Sequence, residues 1–181
     1  MNVSITHPIH RCAFLVCILT MLSAYTSCVD EAEPAATGTV LTVGDALPAF
    51  TVVTNLGDTL TRDSFLNRRG VVAFFHTSCP DCRRALPVLD SLYHTMHADT
   101  TFRMVCISRE ESAASVEAYW QKAGLTMPYS AQSDRSVYAQ FAHTGVPRLY
   151  ITDSCAIIRH LFDDTNFPSF EELLKQTTKA N

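Results

Sequence analysis

A Cys-x-x-Cys motif set between a strand and a helix is the feature that most constrains how this chain can fold. Residues 70–75 are continuously apolar, which is typical of a short buried strand. Cys79-Pro80-Asp81-Cys82 follows, and apolar residues then recur at helical spacing over residues 83–93. The two sulfurs are therefore predicted at the N-terminus of a helix, where unpaired N–H groups and the helix dipole favour a thiolate.

The same cysteine spacing also occurs in structural zinc sites. Such a site needs a second Cys-x-x-Cys or a histidine pair at ligand spacing, and the sequence contains neither. The pattern therefore favours redox chemistry, with no metal. The chain of 181 residues carries a net charge of −4 and has the size of one domain. A mildly acidic chain has no electrostatic footprint for nucleic acid.

Residues 1–27 are predicted to be a signal peptide of the lipoprotein type. Arg11 closes a weakly basic start, and the apolar stretch 12–24 is shorter than the ~20 residues that a membrane span needs. Tyr25-Thr26-Ser27-Cys28 resembles the lipobox of bacterial lipoproteins, which implies that Cys28 is lipidated. An ordinary secreted protein cleaved nearby is the alternative.

The remaining chain is predicted to be a flexible tether, residues 28–38, followed by a single domain, residues 39–181. The tether consists mostly of small and acidic residues and shows no hydrophobic periodicity. The expected location is the bacterial cell envelope, exported and membrane-anchored, where disulfides can form. Cys79 and Cys82 are the expected local pair. Cys106 is expected to be an inert core thiol, and Cys155 a free surface thiol unless it pairs with Cys106.

The order of patterns after residue 39 predicts a mixed α/β sheet with helices on both faces and a β-hairpin at its N-terminal side. The hairpin strands are expected at 51–54 and 59–61, around a turn that contains Gly57. Further strands are expected at 70–75, 102–108, 149–151 and 156–158. Helices are expected from the cysteine motif to about 97, and at 110–122, 136–142 and 170–178. Glu110 and Glu111 are interpreted as an exposed helix start.

Three stretches resemble the thioredoxin-fold lipoproteins of the TlpA/ResA-like (AhpC/TSA-related) group. They are Val43-Gly44-Asp45 with Pro48 and Phe50, residues 71–82, and the run Thr144-Gly145-Val146-Pro147-Arg148-Leu149-Tyr150-Ile151. Together they span almost all of residues 40–178. The resemblance implies a thioredoxin-like fold, with four or five central strands flanked by helices. It also implies an exported thiol–disulfide oxidoreductase.

The resemblance assigns a role to each matching site residue. Cys79 would be the exposed nucleophile, Cys82 the buried resolving cysteine, and Pro147 a cis-proline facing them. Val146 would then offer its backbone to the extended chain of a protein client. The chain has no flavin or nicotinamide motif, so no cofactor is expected. An external reductant must restore the dithiol.

Two positions depart from thioredoxin itself. Ser78 stands where thioredoxins carry tryptophan, and Ala73 stands where they carry a buried acid that helps to deprotonate the resolving thiol. Among the neighbouring charges, Asp81 should disfavour the Cys79 thiolate, whereas Arg83 and a protonated His76 should favour it. A partly buried histidine at a strand end, without such a role, is the alternative interpretation of His76.

Two other functions stay open on the sequence alone. A peroxiredoxin-like thiol peroxidase needs Pro-x-x-x-Thr-x-x-Cys, but here His76 holds the threonine position and Thr77 is one residue away. A Cu(I) metallochaperone could use Cys79 and Cys82, with His143 as a further ligand, since soft thiolates suit Cu(I). Copper-assembly proteins of this fold have wider cysteine spacing. A solvated loop position is the alternative for His143.

Overall fold

The computed structural model of the chain describes residues 40–180. Within them lie seven strands: β1 Thr51–Val53, β2 Thr59–Thr61, β3 Arg69–Phe75, β4 Phe102–Ser108, β5 Tyr129–Ser130, β6 Arg148–Thr152 and β7 Ile158–Phe162. The three α-helices are α1 Pro80–Met96, α2 Ala113–Ala123 and α3 Phe170–Lys179. Two short 3-10 helices span Arg62–Phe65 and Tyr138–Gln140.

Five of the strands form a mixed central sheet in the order β5-β4-β3-β6-β7. Strands β3, β4 and β5 run parallel, while β6 is antiparallel to both β3 and β7. Strands β1 and β2 form a separate antiparallel pair, whose turn contains Gly57 with a φ of +86°. The predicted mixed sheet with an N-terminal hairpin is therefore confirmed.

Helices α1 and α2 cover one face of the sheet. The Phe75 ring of β3 lies 4.9 Å from Trp120 of α2. On the same face Cys106 of β4, opposite Ala73 in the register, contacts Met127. The Met127 N–H in turn donates to a carboxylate of α1, Asp90, at 2.9 Å. Helix α3 packs beside α1 and contacts β3 and β6.

Aromatic rings cover the opposite face. The Phe74 ring lies 4.8 Å from Phe141 and 5.2 Å from Tyr138, which belong to the second 3-10 helix and its end. Phe50, just before β1, adds a ring 5.4 Å from Phe141. Helices therefore lie on both faces as predicted, but those on this face are 3-10 helices.

Gly70 of β3 allows the first 3-10 helix to approach this face closely. A Cβ atom at Gly70 would lie 2.2 Å from the Thr152 hydroxyl oxygen and 2.6 Å from the Phe65 ring. Both neighbours are fully buried, so neither has room to move away.

The structure corrects the bounds of several predicted elements. The helix predicted at 136–142 is a 3-10 helix over Tyr138–Gln140, and β7 extends to Phe162, beyond the predicted end at residue 158. Strand β7 begins at Ile158 and not at residue 156, because the segment before it pairs with the N-terminal stretch: the Leu47 N–H donates to the Ala156 carbonyl at 2.9 Å. Helix α2 begins at Ala113 and not at residue 110, because the Ser112 hydroxyl caps it by accepting the Ser115 N–H at 3.2 Å. Strand β5 was not predicted, since two residues carry no readable alternation.

The predicted signal peptide 1–27, the lipidation site Cys28 and the tether 28–38 lie outside the described residues. Of the helices in residues 40–180, none has the length and apolar character that crossing a bilayer requires. Cys155 is disulfide-bonded, so the prediction of a free surface thiol was wrong. Cys106 is free, which excludes a bond between these two cysteines.

Candidate active site

Cys79 caps the N-terminus of α1. Its backbone is extended, with φ −75° and ψ 122°, and Pro80 occupies the first helical position, where a missing N–H costs nothing. The Cys79 N–H donates to the His76 carbonyl at 3.0 Å, which closes a tight turn between β3 and α1. The side chain is half-buried, and its thiol donates to the Val146 carbonyl at 3.3 Å.

Cys82 lies one turn further along α1 and is fully buried. Burial strongly raises the pKa of its thiol, and the neighbouring Cys79 and the charge of Asp81 raise it further, against a lowering by the His76 backbone. Both cysteines are free thiols in this structure. The pair therefore combines an accessible sulfur with one that solvent does not reach.

The loop that precedes β6 faces Cys79 and is held by side chains. Its Val146–Pro147 peptide bond is cis. Three consecutive carbonyls before Val146 each accept a hydrogen bond from a different side chain: His143 O from Arg135 Nη2 at 2.7 Å, Thr144 O from Arg148 Nη1 at 3.1 Å, and Gly145 O from Tyr138 Oη at 2.6 Å. Residues 143–147 therefore form one fixed loop, called here the proline loop after Pro147.

Tyr138, in the second 3-10 helix, and Arg135, just before that helix, hold this loop. Tyr138 is 1% exposed, and burial raises the pKa of its phenol against the lowering by nearby arginines. The Arg135 guanidinium lies 5.3 Å from the Tyr138 ring centre, within reach of a cation–π interaction. Arg135 also pairs with Glu110 at 3.2 Å. Neither residue stood out in the sequence, because no motif marks them.

Glu111 lies against the turn that carries Cys79, and the interpretation of Glu110 and Glu111 as an exposed helix start was wrong. The Glu111 side chain is 7% exposed. Its carboxylate accepts the Thr77 N–H at 2.7 Å and also the Thr77 hydroxyl. A signal was available: β3 and β4 are parallel neighbours, so residues just after both strands meet at one edge of the sheet.

His76 and Asp81, two predicted modulators, are both engaged locally. The His76 Nδ1 accepts the Ser78 N–H at 3.2 Å and lies 3.7 Å from a Glu111 oxygen. The Asp81 carboxylate pairs with Arg84, so its charge is partly compensated.

The third predicted modulator, Arg83, lies on the first turn of α1. Its Nε donates to the Thr77 carbonyl at 2.6 Å. The Arg83 guanidinium is therefore bound to the same turn that Glu111 holds. The residue that both contact, Thr77, follows His76 directly and lies two residues before Cys79.

Two other residues singled out in the sequence, Cys106 and His143, make no contact with Cys79 or Cys82 among the hydrogen bonds described. Cys106 is fully buried in β4 and burial raises its pKa, as expected of a core thiol. His143 is exposed, and its carbonyl is the acceptor for Arg135 described above. Within residues 40–180, no three side chains of His, Cys, Asp or Glu are grouped closely enough to hold a metal ion.

Several solved structures with similar folds are described as thiol–disulfide proteins. A provisionally assigned protein disulfide isomerase from Bacteroides thetaiotaomicron matches with a TM-score of 0.71 and 24% identity, covering 78% of this chain and 91% of that one. A thiol:disulfide interchange protein of the thioredoxin family from Chlorobium tepidum matches with a TM-score of 0.65 and 22% identity, covering 78% of this chain and 99% of that one. A secreted Mycobacterium tuberculosis disulfide oxidoreductase homologous to E. coli DsbE matches with a TM-score of 0.61 and 18% identity, covering 72% of this chain and 95% of that one.

These likenesses establish the thioredoxin-like fold that the sequence resemblance implied. No curated protein matches the sequence. The model of the AhpC/TSA family, by contrast, matches residues 43–161, which is more than half of the chain and includes the cysteine motif and the proline loop. The chain therefore belongs to the AhpC/TSA family.

Proposed function

We propose that the protein is an exported thiol–disulfide oxidoreductase that exchanges disulfides with protein clients through Cys79 and Cys82. The observation that carries this proposal is the pairing of a half-buried sulfur at a helix N-terminus with a fully buried sulfur one turn away. Unpaired N–H groups at such a terminus favour the thiolate, which is the attacking species. The similar folds of the thiol–disulfide proteins described above support the same activity.

The reaction balances as two successive exchanges. The Cys79 thiolate attacks one sulfur of a client disulfide, forming a mixed disulfide and releasing the other client sulfur as a thiolate. The Cys82 thiolate then attacks the Cys79 sulfur, which closes the Cys79–Cys82 bond and releases the second client thiolate. The two protons lost by the cysteines match those that the client thiols take up. The client is reduced by two electrons, and an external dithiol must return the pair to its reduced state.

Order of attack follows from burial. Cys82 is inaccessible and burial raises its pKa, so it cannot meet a client first. It reacts only after Cys79 has brought a disulfide within reach.

Asp81 opposes formation of a thiolate at this site, while Arg83 favours it. Protonated His76 would also favour it, with Nδ1 then facing Glu111 as a donor and no longer accepting the Ser78 N–H. We therefore propose that these three residues modulate the couple.

The proline loop is the proposed binding platform for the client chain. Cys79 already contacts the Val146 carbonyl, so a client segment bonded to this sulfur would lie along the backbone of Val146 and Pro147. Main-chain hydrogen bonds of this kind bind many sequences, because every extended peptide offers the same groups. Breadth of client choice is the expected consequence.

We propose further that lipidation of Cys28 anchors the domain in the cell envelope through the tether 28–38. The support is the lipobox resemblance and the description of one structural neighbour as secreted. Labelling with a radioactive fatty acid should mark the full-length protein and not its Cys28→Ala variant. Absence of label from the wild-type protein would contradict the anchor.

Trapping in the cell envelope tests the exchange reaction. Cys82→Ser should accumulate mixed disulfides with clients, because the resolving sulfur is missing, whereas Cys79→Ser should trap none. Cys106→Ser, a change in the core away from the pair, is the matched control and should behave like the wild type. Rapid peroxide consumption without client trapping would point to the peroxidase alternative. Tight Cu(I) retention that depends on Cys82 would point to the copper alternative.

A further inference from the structure

A nearly buried carboxylate lies beneath the turn that carries Cys79. The Glu111 side chain is 7% exposed and accepts two hydrogen bonds from Thr77, from the N–H at 2.7 Å and from the hydroxyl. Hydrogen bonds to an ionised group are about twice as strong as neutral ones, and a buried carboxylate is costly without them. Glu111 and Thr77 therefore hold each other in place.

The same turn is held from its other side by α1. The Arg83 Nε donates to the Thr77 carbonyl at 2.6 Å, and the Cys79 N–H donates to the His76 carbonyl at 3.0 Å. Both polar groups of the Thr77 backbone are thus occupied, one by an acid from the loop after β4 and one by a base from the helix. Cys79 follows two residues later.

Glu111 is itself fixed by the sheet edge. Its N–H donates to the Gln132 carbonyl at 2.7 Å, and the Gln132 N–H donates to the Ser108 hydroxyl at the end of β4, also at 2.7 Å. Glu111 therefore links the end of β4 to the turn after β3 through hydrogen bonds.

We propose that Glu111 is a positioning residue that sets the Cys79 sulfur against the proline loop, an inference that rests on the proposed exchange function. Cys79 must meet two requirements at once when the client is a protein: its sulfur must attack, and the attached chain must lie on Val146. A small disulfide needs only the first. Loss of the Glu111 hydrogen bonds should therefore slow exchange with proteins far more than exchange with small disulfides.

The test compares two substrates in the same variants. Glu111→Ala should reduce a protein disulfide, such as that of insulin, about tenfold more slowly than the wild type, since misplacement by an ångström can cost up to ~100-fold. The rate of its reaction with hydroxyethyl disulfide should change by less than about twofold, which is well below the tenfold fall expected for the protein substrate. Glu111→Gln keeps an oxygen that can accept the Thr77 N–H, and should restore most of the protein-substrate rate. Glu117→Ala, which alters an exposed acid on α2, is the control.

Each outcome decides the proposal. An equal fall with both substrates in Glu111→Ala would show an effect of charge on the thiolate and would overturn positioning. Unchanged rates with both would also overturn it. If Glu111→Ala does not fold, Thr77→Val, which loses the hydroxyl bond, must show the substrate split while Thr77→Ser must not; otherwise the proposal fails.

Failure of the proposed function would be visible separately. If the wild type reduces no protein disulfide, the exchange function is wrong whatever the variants do. Positioning is then judged from crystal structures of the reduced variants: the 3.3 Å contact between Cys79 Sγ and the Val146 carbonyl oxygen should be lost in Glu111→Ala and kept in Glu111→Gln. Retention of this contact in Glu111→Ala would overturn the inference.

Discussion

Removal of one hydroxyl, in Tyr138→Phe, isolates the contribution of the proline loop. The Tyr138 Oη donates to the Gly145 carbonyl at 2.6 Å, next to the Val146 carbonyl that contacts Cys79. Phenylalanine keeps the buried ring, including its contact with Phe74 at 5.2 Å. The substitution therefore removes a single hydrogen bond and leaves the packing of the opposite sheet face in place.

The cost in stability follows from this geometry. A hydrogen bond of this kind contributes ~1 kcal/mol net, and the half-buried Gly145 leaves room for water to replace the donor in part. We therefore expect the free energy of unfolding to fall by ~1 kcal/mol, which for a chain of this size lowers Tm by about 2–4 °C. Urea unfolding monitored by the fluorescence of Trp120, the single tryptophan, would measure it.

The cost in activity should be larger than the cost in stability. Because Gly145 adjoins Val146, loosening its carbonyl disturbs the proposed platform directly, and we expect the rate of insulin reduction to fall about tenfold. Tyr129→Phe, at a buried tyrosine of β5 that packs against Trp120, is the matched control and should exchange at the wild-type rate. A Tyr138→Phe protein that loses ~1 kcal/mol yet reduces insulin normally would refute the role given to the loop.

Three further perturbations test the fold and the thiols. Gly70→Ala should cost about 3 kcal/mol of unfolding free energy, because its Cβ would lie 2.2 Å from the Thr152 hydroxyl; a loss below ~1 kcal/mol in urea unfolding would show that the site can relax. In the reduced protein, burial raises the pKa of Cys82 and of Cys106 above their ordinary 9.0, so their contribution to stability is complete below pH 9 and is lost as pH rises beyond it. Above pH 9 the free energy of unfolding should fall by ~1.4 kcal/mol per pH unit for each thiol, and Cys106→Ala should remove the contribution of one thiol. An unchanged slope in Cys106→Ala would contradict the raised pKa of Cys106. Asp81→Asn removes a negative charge beside the thiols and should make the couple more oxidising, by no more than ~30 mV against glutathione, and a more reducing couple would reverse the argument.

The parts of the fold that were predictable are those with strong local signals. The run 70–75, the cysteine motif and the hairpin around Gly57 each carry a pattern that fits one conformation. The prediction of a strand at 156–158 was wrong for a physical reason. Residues 156–157 have a strand-like sequence but pair with the N-terminal stretch, and the strand of the central sheet starts only at Ile158. Local pattern cannot say which partner a strand-like segment will take.

The candidate site divides in the same way. Cys79, Cys82 and Pro147 are recognisable because their motifs are contiguous in sequence. Glu111 bonds to Thr77, far away in the sequence, and Tyr138 bonds to the nearby Gly145, but no sequence motif marks either residue. For Glu111, two adjacent acids before a helix fit an exposed helix start equally well, and only the meeting of the ends of β3 and β4 separates the two interpretations.

One contact at Cys79 sets the timing of recognition. In the dithiol, the oxygen of Val146 is already taken by the S–H of Cys79. The proposed attack requires Cys79 to lose that hydrogen, so the Val146 oxygen is vacated as soon as the thiolate forms, before the client sulfur bonds. Under the proposed function, an amide of the client chain would take the vacated position, so the acceptor for the client opens at the same moment as the sulfur becomes reactive.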